Sequence, residues 1–149
     1  MTTLGFAVRR LAHGDRDDAR ALAAVLAQAF DETPPTLGDA WVDALLARPD
    51  LVLLVAHDGA AVVGAAVAHL LPMTSREATE LMLYDIGVAP AHQRRGIGRA
   101  LLNAVHAEAA RLGADTVFVL ADDEDRHALD FYRATRGSAS PVTLFAWER

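Results

Sequence analysis

The chain has 149 residues, of which 52% are hydrophobic and 23% charged, and its formal net charge is −6 at pH 7. This length and composition predict one soluble globular domain spanning residues 1–149. The negative charge argues against a nucleic-acid partner, because phosphates are bound by basic faces, and it favours a cationic partner. No apolar run reaches the roughly 18 residues that span a bilayer. The absence of cysteine excludes disulfides and thiolate catalysis.

The chain begins with MTTLGFAVRRLAHGD, which lacks the charged-then-apolar layout of a signal peptide, so a cytoplasmic protein is expected. Residues 6–11 predict a short strand. The segment 16–30 repeats Leu22, Val25 and Leu26 at helical spacing, which predicts an amphipathic helix.

A second helix and a hairpin are predicted next. Two prolines in DETPPTLGD forbid helix at that point. Thr36 or Asp39 is a suitable cap for a second helix, which Pro49 ends. Residues 51–71 then predict two strands joined at Asp58-Gly59, a dipeptide typical of tight hairpins.

The second half of the chain predicts three strands and two helices. Residues 80–88 predict a strand, and the helix after it has an apolar face that includes Leu101 and stops at Gly113. The apolar, β-branched run 116–121 is typical of a buried strand. The remaining elements are a helix over 128–136 and a last strand over 142–147.

The predicted order of elements is β-α-α-β-β-β-α-β-α-β. It indicates an α/β fold in which helices flank a mixed central sheet. The sequence contains no internal repeat, linker or low-complexity tract, which supports a single domain.

The most informative stretch is HQRRGIGRAL, which follows the strand 80–88 directly. A strand that turns into a helix here aims unpaired N–H groups and the positive end of the helix dipole at one point. Gly96 and Gly98 let an anion approach the backbone, and Arg94, Arg95 and Arg99 supply positive charge. The pattern indicates a phosphate or pyrophosphate site. A helix-capping turn with solvated arginines is the simpler alternative.

Two common nucleotide motifs do not fit this stretch. A Walker loop requires lysine, and the chain has none. The dinucleotide fingerprint requires a third glycine or alanine where Leu101 stands.

The longer segment DIGVAPAHQRRGIGRALLNAVHAEA resembles the acetyl-CoA motif of the GCN5-related N-acetyltransferase (GNAT) superfamily. The downstream ALDFYRATRG also resembles that family, and the order of elements is the family's order. The resemblance implies a mostly antiparallel sheet with a splayed strand pair that holds acetyl-CoA, the pyrophosphate lying at the glycine turn. The implied cofactor-binding residues are Ile86, Val88, Gln93, Arg94, Arg95, Gly96, Ile97, Gly98, Arg99 and Ala100.

Asp85 and Tyr132 are the candidate catalytic residues. Acetyl transfer to a protonated amine needs a proton acceptor. Alternation along LMLYDIGV predicts that Asp85 shares an apolar face with Leu81 and Leu83, where burial can raise its pKa. A structural carboxylate is the alternative. By resemblance, Tyr132 is the tyrosine that donates a proton to the departing thiolate; otherwise it is an aromatic core residue beside Phe131.

The acidic segment ADDEDRH follows a predicted strand, where binding residues often lie. It predicts a site for a polycation or, alternatively, a solvated acidic turn. Together with LYDIGV and HQRRGIGRAL it resembles small aminoglycoside 3-N-acetyltransferases, in which Asp85, Asp122 and Asp125 match substrate-binding acids. The early segment FDETPPTLGDAW, which normally shapes the acceptor pocket, matches less well. Asp125 also replaces an Asn that contacts the cofactor in many relatives.

The resemblance implies acetyl transfer from acetyl-CoA to an aminoglycoside amine, at the 3-N position, with antibiotic resistance as the result. The alternatives are acetylation of a polyamine, a peptide N-terminus or a small metabolite, and an acetyl-CoA-binding module without turnover. Intact Asp85 and Tyr132 favour an enzyme. The six histidines lack metal-ligand spacing, so no metal is expected, and no nucleic acid or membrane partner either. Relatives are often dimers, so the resemblance allows a homodimer.

Overall fold

The structure, a computed structural model, describes residues 5–149. It divides into a unit that ends at Val119 and a unit over Leu120–Arg149. The helices and strands of the first unit are β1 (Ala7–Arg10), α1 (Arg16–Ala29), α2 (Asp39–Leu46), β2 (Leu51–Asp58), β3 (Ala61–Pro72), β4 (Thr79–Val88), a 3-10 turn (Pro90–His92), α3 (Ile97–Arg111) and β5 (Thr116–Val119). The second unit contains α4 (Arg126–Ala134).

The five strands form one sheet in the order β1-β2-β3-β4-β5. Neighbouring strands are antiparallel except for β4 and β5, which are parallel. This mixed, mostly antiparallel sheet with flanking helices confirms the predicted fold class. The predicted hairpin is also confirmed, because Asp58 pairs with Ala61 across a turn in which Gly59 has φ +61°.

Successive residues of β3 face the two long helices. Ala65 belongs to a buried cluster that includes Leu22 and Leu26 of α1. A Cβ on the preceding Gly64 would lie within 3.0 Å of Ile97 in α3. Since neighbouring residues of a strand point to opposite faces, α1 and α3 lie on opposite faces of the sheet.

Helix α3 forms where its apolar spacing predicts it. Its buried residues are Ile97, Leu101, Leu102, Val105 and Ala109. Burial of a side chain such as that of Leu101, which is fully buried, stabilises the fold by about 1.5–3 kcal/mol. The helix ends just before Gly113, whose φ of +72° fits the predicted stop. None of the described helices is long and apolar enough to cross a bilayer.

Two predictions about the last residues of the chain need correction. Helix α4 begins at Arg126 rather than 128, because the Asp125 carboxylate caps it. The last strand predicted over 142–147 is wrong: these residues form no strand, and the Trp147 side chain is 85% exposed. A β-favouring sequence becomes a strand only where a neighbouring strand supplies hydrogen bonds and packing, and 142–147 has no such partner within residues 5–149.

Candidate active site

Strand β4 extends beyond the strand that pairs with it on one side. β5 pairs with β4 only from Glu80 to Leu83, whereas β3 pairs with β4 as far as Val88. Within the sheet that the structure describes, residues 84–88 therefore have one paired edge and one open edge. The sequence resemblance implied such a splayed pair.

The backbone of Ile86 and Val88 points to the open edge. The Ala89 N–H donates to the Val63 carbonyl of β3 over 2.8 Å, so Ala89 is directed towards β3. In an antiparallel pair, alternate residues direct their N–H and C=O groups to the partner strand. By this alternation the groups of Ile86 and Val88 face away from β3. Consistently, the Val88 carbonyl accepts a hydrogen bond from Gln93 Nε2 over 3.2 Å.

A β-bulge decides on which face Asp85 lies. In the β3–β4 register, Val67 pairs with Asp85 but the next residue, Ala68, pairs with Leu83. Tyr84 is therefore an extra residue in β4, and such a bulge re-aims the side chains that follow it.

The prediction that Asp85 shares a face with Leu81 and Leu83 is wrong because of this bulge. By register, Leu81 and Leu83 lie on the α3 face. Asp85 lies on the α1 face together with Gly87, where an added Cβ would be 2.8 Å from the Ala29 side chain. The extra residue reverses the alternation, and the carboxylate points to α1.

On the α1 face, Asp85 borders a cavity of about 530 Å³. The cavity lies among α1, the loop that follows it, β3 and β4. Its lining residues are Leu22, Ala23, Leu26, Ala27, Phe30, Glu32, Thr33, Pro35, Val67, Tyr84 and Asp85. Among the residues that the structure describes, the lining thus contains two carboxylates, two exposed aromatic rings and no basic side chain. Such a cavity is suited to a polar cation.

Glu32 is a site residue that the sequence analysis did not identify. It lies in the loop between α1 and α2, in the segment DETPP that matched the relatives poorly. An acidic residue just after a helix is weak evidence by itself, because most such residues are solvated. Only the packing of this loop beside β4 brings Glu32 to the same cavity as Asp85.

Burial, with the negative charge of Glu32 as a second cause, raises the pKa of Asp85 above its usual range, while His69 opposes the rise. This direction agrees with the expectation for a partly buried acid. A raised pKa brings the carboxylate closer in basicity to the groups from which it would accept a proton.

The glycine turn before α3 has the backbone geometry of an anion site. Gly96 is the N-cap with φ +84°, and no side chain of residues 5–149 caps the helix. A Cβ at Gly96 would meet no atom of residues 5–149 within 4 Å, so the turn is open within the described part of the chain. Ile97 is only 1% exposed and packs into the core, whereas Gly98 and Arg99 after it are less buried. Within the first turn of α3, the N–H groups of Gly98 and Arg99 are therefore the candidates for binding an anion.

The three arginines of this turn differ in their partners. Arg95 donates to the Asp58 carboxylate over 3.0 Å. Arg94 and Arg99 are exposed and form no ion pair with the residues that the structure describes. Arg94 also has a positive φ of +62°, which is uncommon for a residue other than glycine.

The remaining predicted site residues lie in the unit Leu120–Arg149. The Asp125 carboxylate accepts the Ala128 N–H over 3.0 Å, and that of Asp122 accepts the Glu124 N–H over 2.8 Å. Both acids therefore order the segment before α4, and each carboxylate still has acceptor capacity for a ligand. Tyr132 is half-buried in α4, and its ring lies edge-on to Phe131.

No group of three metal-ligating side chains occurs among residues 5–149.

Comparisons with known proteins agree with this geometry. A search of curated proteins returns no match to this sequence. An aminoglycoside acetyltransferase from an uncultured soil metagenomic sample, HMB0005, is 29% identical with a TM-score of 0.91, over 100% of this chain and 99% of its own. A second one, meta-AAC0020, crystallised with sisomicin, is 27% identical with a TM-score of 0.89, over 97% of this chain and 95% of its own.

The fold is shared more widely. AAC(6')-Iy, in complex with the bisubstrate analogue CoA-S-monomethyl-acetylneamine, has a TM-score of 0.79 at 18% identity, over 97% of this chain and 98% of its own. The family model described as acetyltransferase (GNAT) family matches residues 20–137. The open edge of β4, the uncapped start of α3 and this match lead to one conclusion: the chain belongs to the GNAT family of acetyltransferases.

Proposed function

We propose that the chain transfers the acetyl group of acetyl-CoA to a primary amine of an aminoglycoside, at the 3-N position, and so confers resistance to the drug. The observation that carries the proposal is the cavity beside the open edge of β4, where Glu32 and Asp85 are the only charged lining residues among residues 5–149. Aminoglycosides carry several ammonium groups, which suit an acidic lining. The likeness to meta-AAC0020 in complex with sisomicin supports this substrate class.

The donor fits the open edge and the glycine turn. An extended pantetheine arm would accept and donate hydrogen bonds at Ile86 and Val88, as an added strand does. The pyrophosphate would lie at Gly96, on the first N–H groups of α3, with Arg94 and Arg99 beside it. The backbone of Ile97, Gly98 and Ala100 would complete this turn. The Gln93 side chain, which donates to the Val88 carbonyl, would fix the chain that leads from β4 into the turn.

Asp85 is proposed to prepare the acceptor amine. It would take the proton of the bound ammonium group or hold the amine for attack on the thioester carbonyl, and its raised pKa suits a proton acceptor. A backbone N–H of Ile86 or Val88 would polarise that carbonyl. As the N–C bond forms and the C–S bond breaks, Tyr132 would donate a proton to the departing thiolate.

Glu32 is proposed to bind a second ammonium group of the same substrate. It lines the cavity together with Asp85, and the exposed rings of Phe30 and Tyr84 offer apolar contact to a sugar. Asp122 and Asp125 would bind further ammonium groups through the acceptor capacity left by their backbone hydrogen bonds.

Thiol release from acetyl-CoA would be measured with gentamicin, sisomicin, a polyamine and a peptide. Turnover with an aminoglycoside supports the proposal, and NMR of the product tests the 3-N position. Turnover of the peptide or polyamine alone would refute the substrate and leave the acetyltransferase. Binding of acetyl-CoA without turnover of any amine would indicate a binding module.

A further inference from the structure

We infer that Asp58, at the end of β2, is a positioning residue for acetyl-CoA. It acts through Arg95, whose hydrogen bond with Asp58 holds the glycine turn in place. The inference rests on the proposed donor site at Gly96. Asp58 lies in the β2–β3 hairpin, far from that turn in the sequence.

One carboxylate oxygen of Asp58 reaches both ends of the segment before Gly96. Asp58 Oδ2 accepts from Arg95 Nη1 over 3.0 Å and lies 3.7 Å from His92 Nε2. His92 ends the 3-10 turn, and Arg95 directly precedes the N-cap of α3. The carboxylate thus links Arg95 to the neighbouring hairpin by a hydrogen bond and lies close to His92.

This segment needs such support because its backbone conformation is uncommon. Arg94 has a φ of +62°, in a region that residues other than glycine rarely adopt. Within the described part of the chain, no side-chain hydrogen bond caps α3. Unfavoured backbone conformations persist only where the surrounding structure holds them. The position of Asp58 is fixed by the hairpin, because Asp58 pairs with Ala61 across a tight turn.

The charges of these residues argue against direct contact between Asp58 and the cofactor. A carboxylate repels pyrophosphate, and Arg95 is already engaged with Asp58. Arg94 and Arg99 are therefore the residues that would neutralise the phosphate charge. Asp58 acts by keeping the turn in its conformation. The alternative is that Asp58 withholds Arg95 from the pyrophosphate, and its removal would then improve binding.

The test compares Asp58→Ala with Asp50→Ala. Asp50 is a matched control, since it forms an exposed pair with Arg48 over 2.8 Å and lies outside the site. Binding of acetyl-CoA would be measured by calorimetry, and KM and kcat by thiol release. Asp58→Ala should raise Kd and KM about tenfold, the scale of one charge-assisted hydrogen bond, with little change in kcat. Asp50→Ala should change neither.

A double-mutant cycle tests the route through Arg95. In an Arg95→Ala background, Asp58→Ala should add little, because the residue through which it acts is gone. If the wild type binds acetyl-CoA and Asp58→Ala binds it equally or more tightly, the inference about Asp58 is overturned, while the proposed donor site stands. A wild type that does not bind acetyl-CoA would overturn the proposed donor site as well.

Discussion

Glu32 and Asp85 line one cavity, and the negative charge of Glu32 helps to raise the pKa of Asp85. The two acids come from different layers of the fold: Glu32 follows helix α1, and Asp85 follows the bulge in β4. Their proximity keeps a partly buried carboxylate more basic than an isolated one. It would also give the proposed substrate, which has several ammonium groups, two points of attachment.

This relationship predicts a shift in the pH profile of Glu32→Gln. Activity should rise with pH as Asp85 loses its proton. Since the charge of Glu32 raises that pKa, its removal lowers the pKa, and the rising limb of kcat/KM should move to lower pH. The aminoglycoside KM should rise as well. Profiles of wild type and variant would be compared, and an unmoved or upward-shifted limb would contradict the coupling.

Asp85→Asn should lower kcat while raising thermal stability. Loss of a general base typically costs about 10²–10⁴-fold in rate. Because the pKa of Asp85 is raised in the folded state, its charged form opposes folding above that pKa, and this effect disappears as the pH falls through it.

The Tm of Asp85→Asn should therefore exceed that of the wild type at neutral pH, and the difference should shrink in acid. Near-normal kcat would show that Asp85 does not carry the proton, and a lower Tm at neutral pH would indicate a structural carboxylate.

Tyr132→Phe keeps the aromatic ring and removes the hydroxyl that is proposed to donate the proton. The variant should lose about 10²–10⁴-fold in kcat, the usual range for a general acid. Acetyl-CoA affinity, measured by calorimetry, should change little. If the role of Tyr132 is structural, with its ring packed against Phe131, kcat will stay near that of the wild type.

Gly96→Val should raise the KM and Kd for acetyl-CoA strongly, because its side chain would enter the open space where the pyrophosphate is proposed to bind. Gly113→Val is the matched control at the other end of α3. Gly113 also has a positive φ, +72°, and open space for a Cβ. Both variants should lose stability from backbone strain, but only Gly96→Val should lose affinity. Equal acetyl-CoA binding in the two would refute the assignment of this turn.

Asp122→Asn and Asp125→Asn should raise the aminoglycoside KM with little effect on acetyl-CoA. Asn caps a helix about as well as Asp, so Asp125→Asn tests the charge while α4 keeps its cap. Kinetics at two ionic strengths should show that salt mimics part of the loss, because exposed charge pairs are screened. If neither the substitutions nor salt changes the aminoglycoside KM, these acids do not bind the substrate and serve only to form their backbone hydrogen bonds.

The sequence by itself determined the elements whose signal is local. Apolar spacing and Gly113 defined α3, and the glycine pattern before it located the open helix start at Gly96. The same stretch indicated the family, which the match over residues 20–137 confirms. These features depend on residues close together in the chain, so spacing and backbone preference suffice to predict them.

The tertiary structure alone decided how distant residues meet. The bulge at Tyr84 reversed the alternation that had placed Asp85 beside Leu83, since register depends on the partner strand as well as on the sequence. The apolar run 142–147 formed no strand, because strand formation needs a neighbour that the run itself does not specify. Glu32 joined the site only through the packing of its loop beside β4.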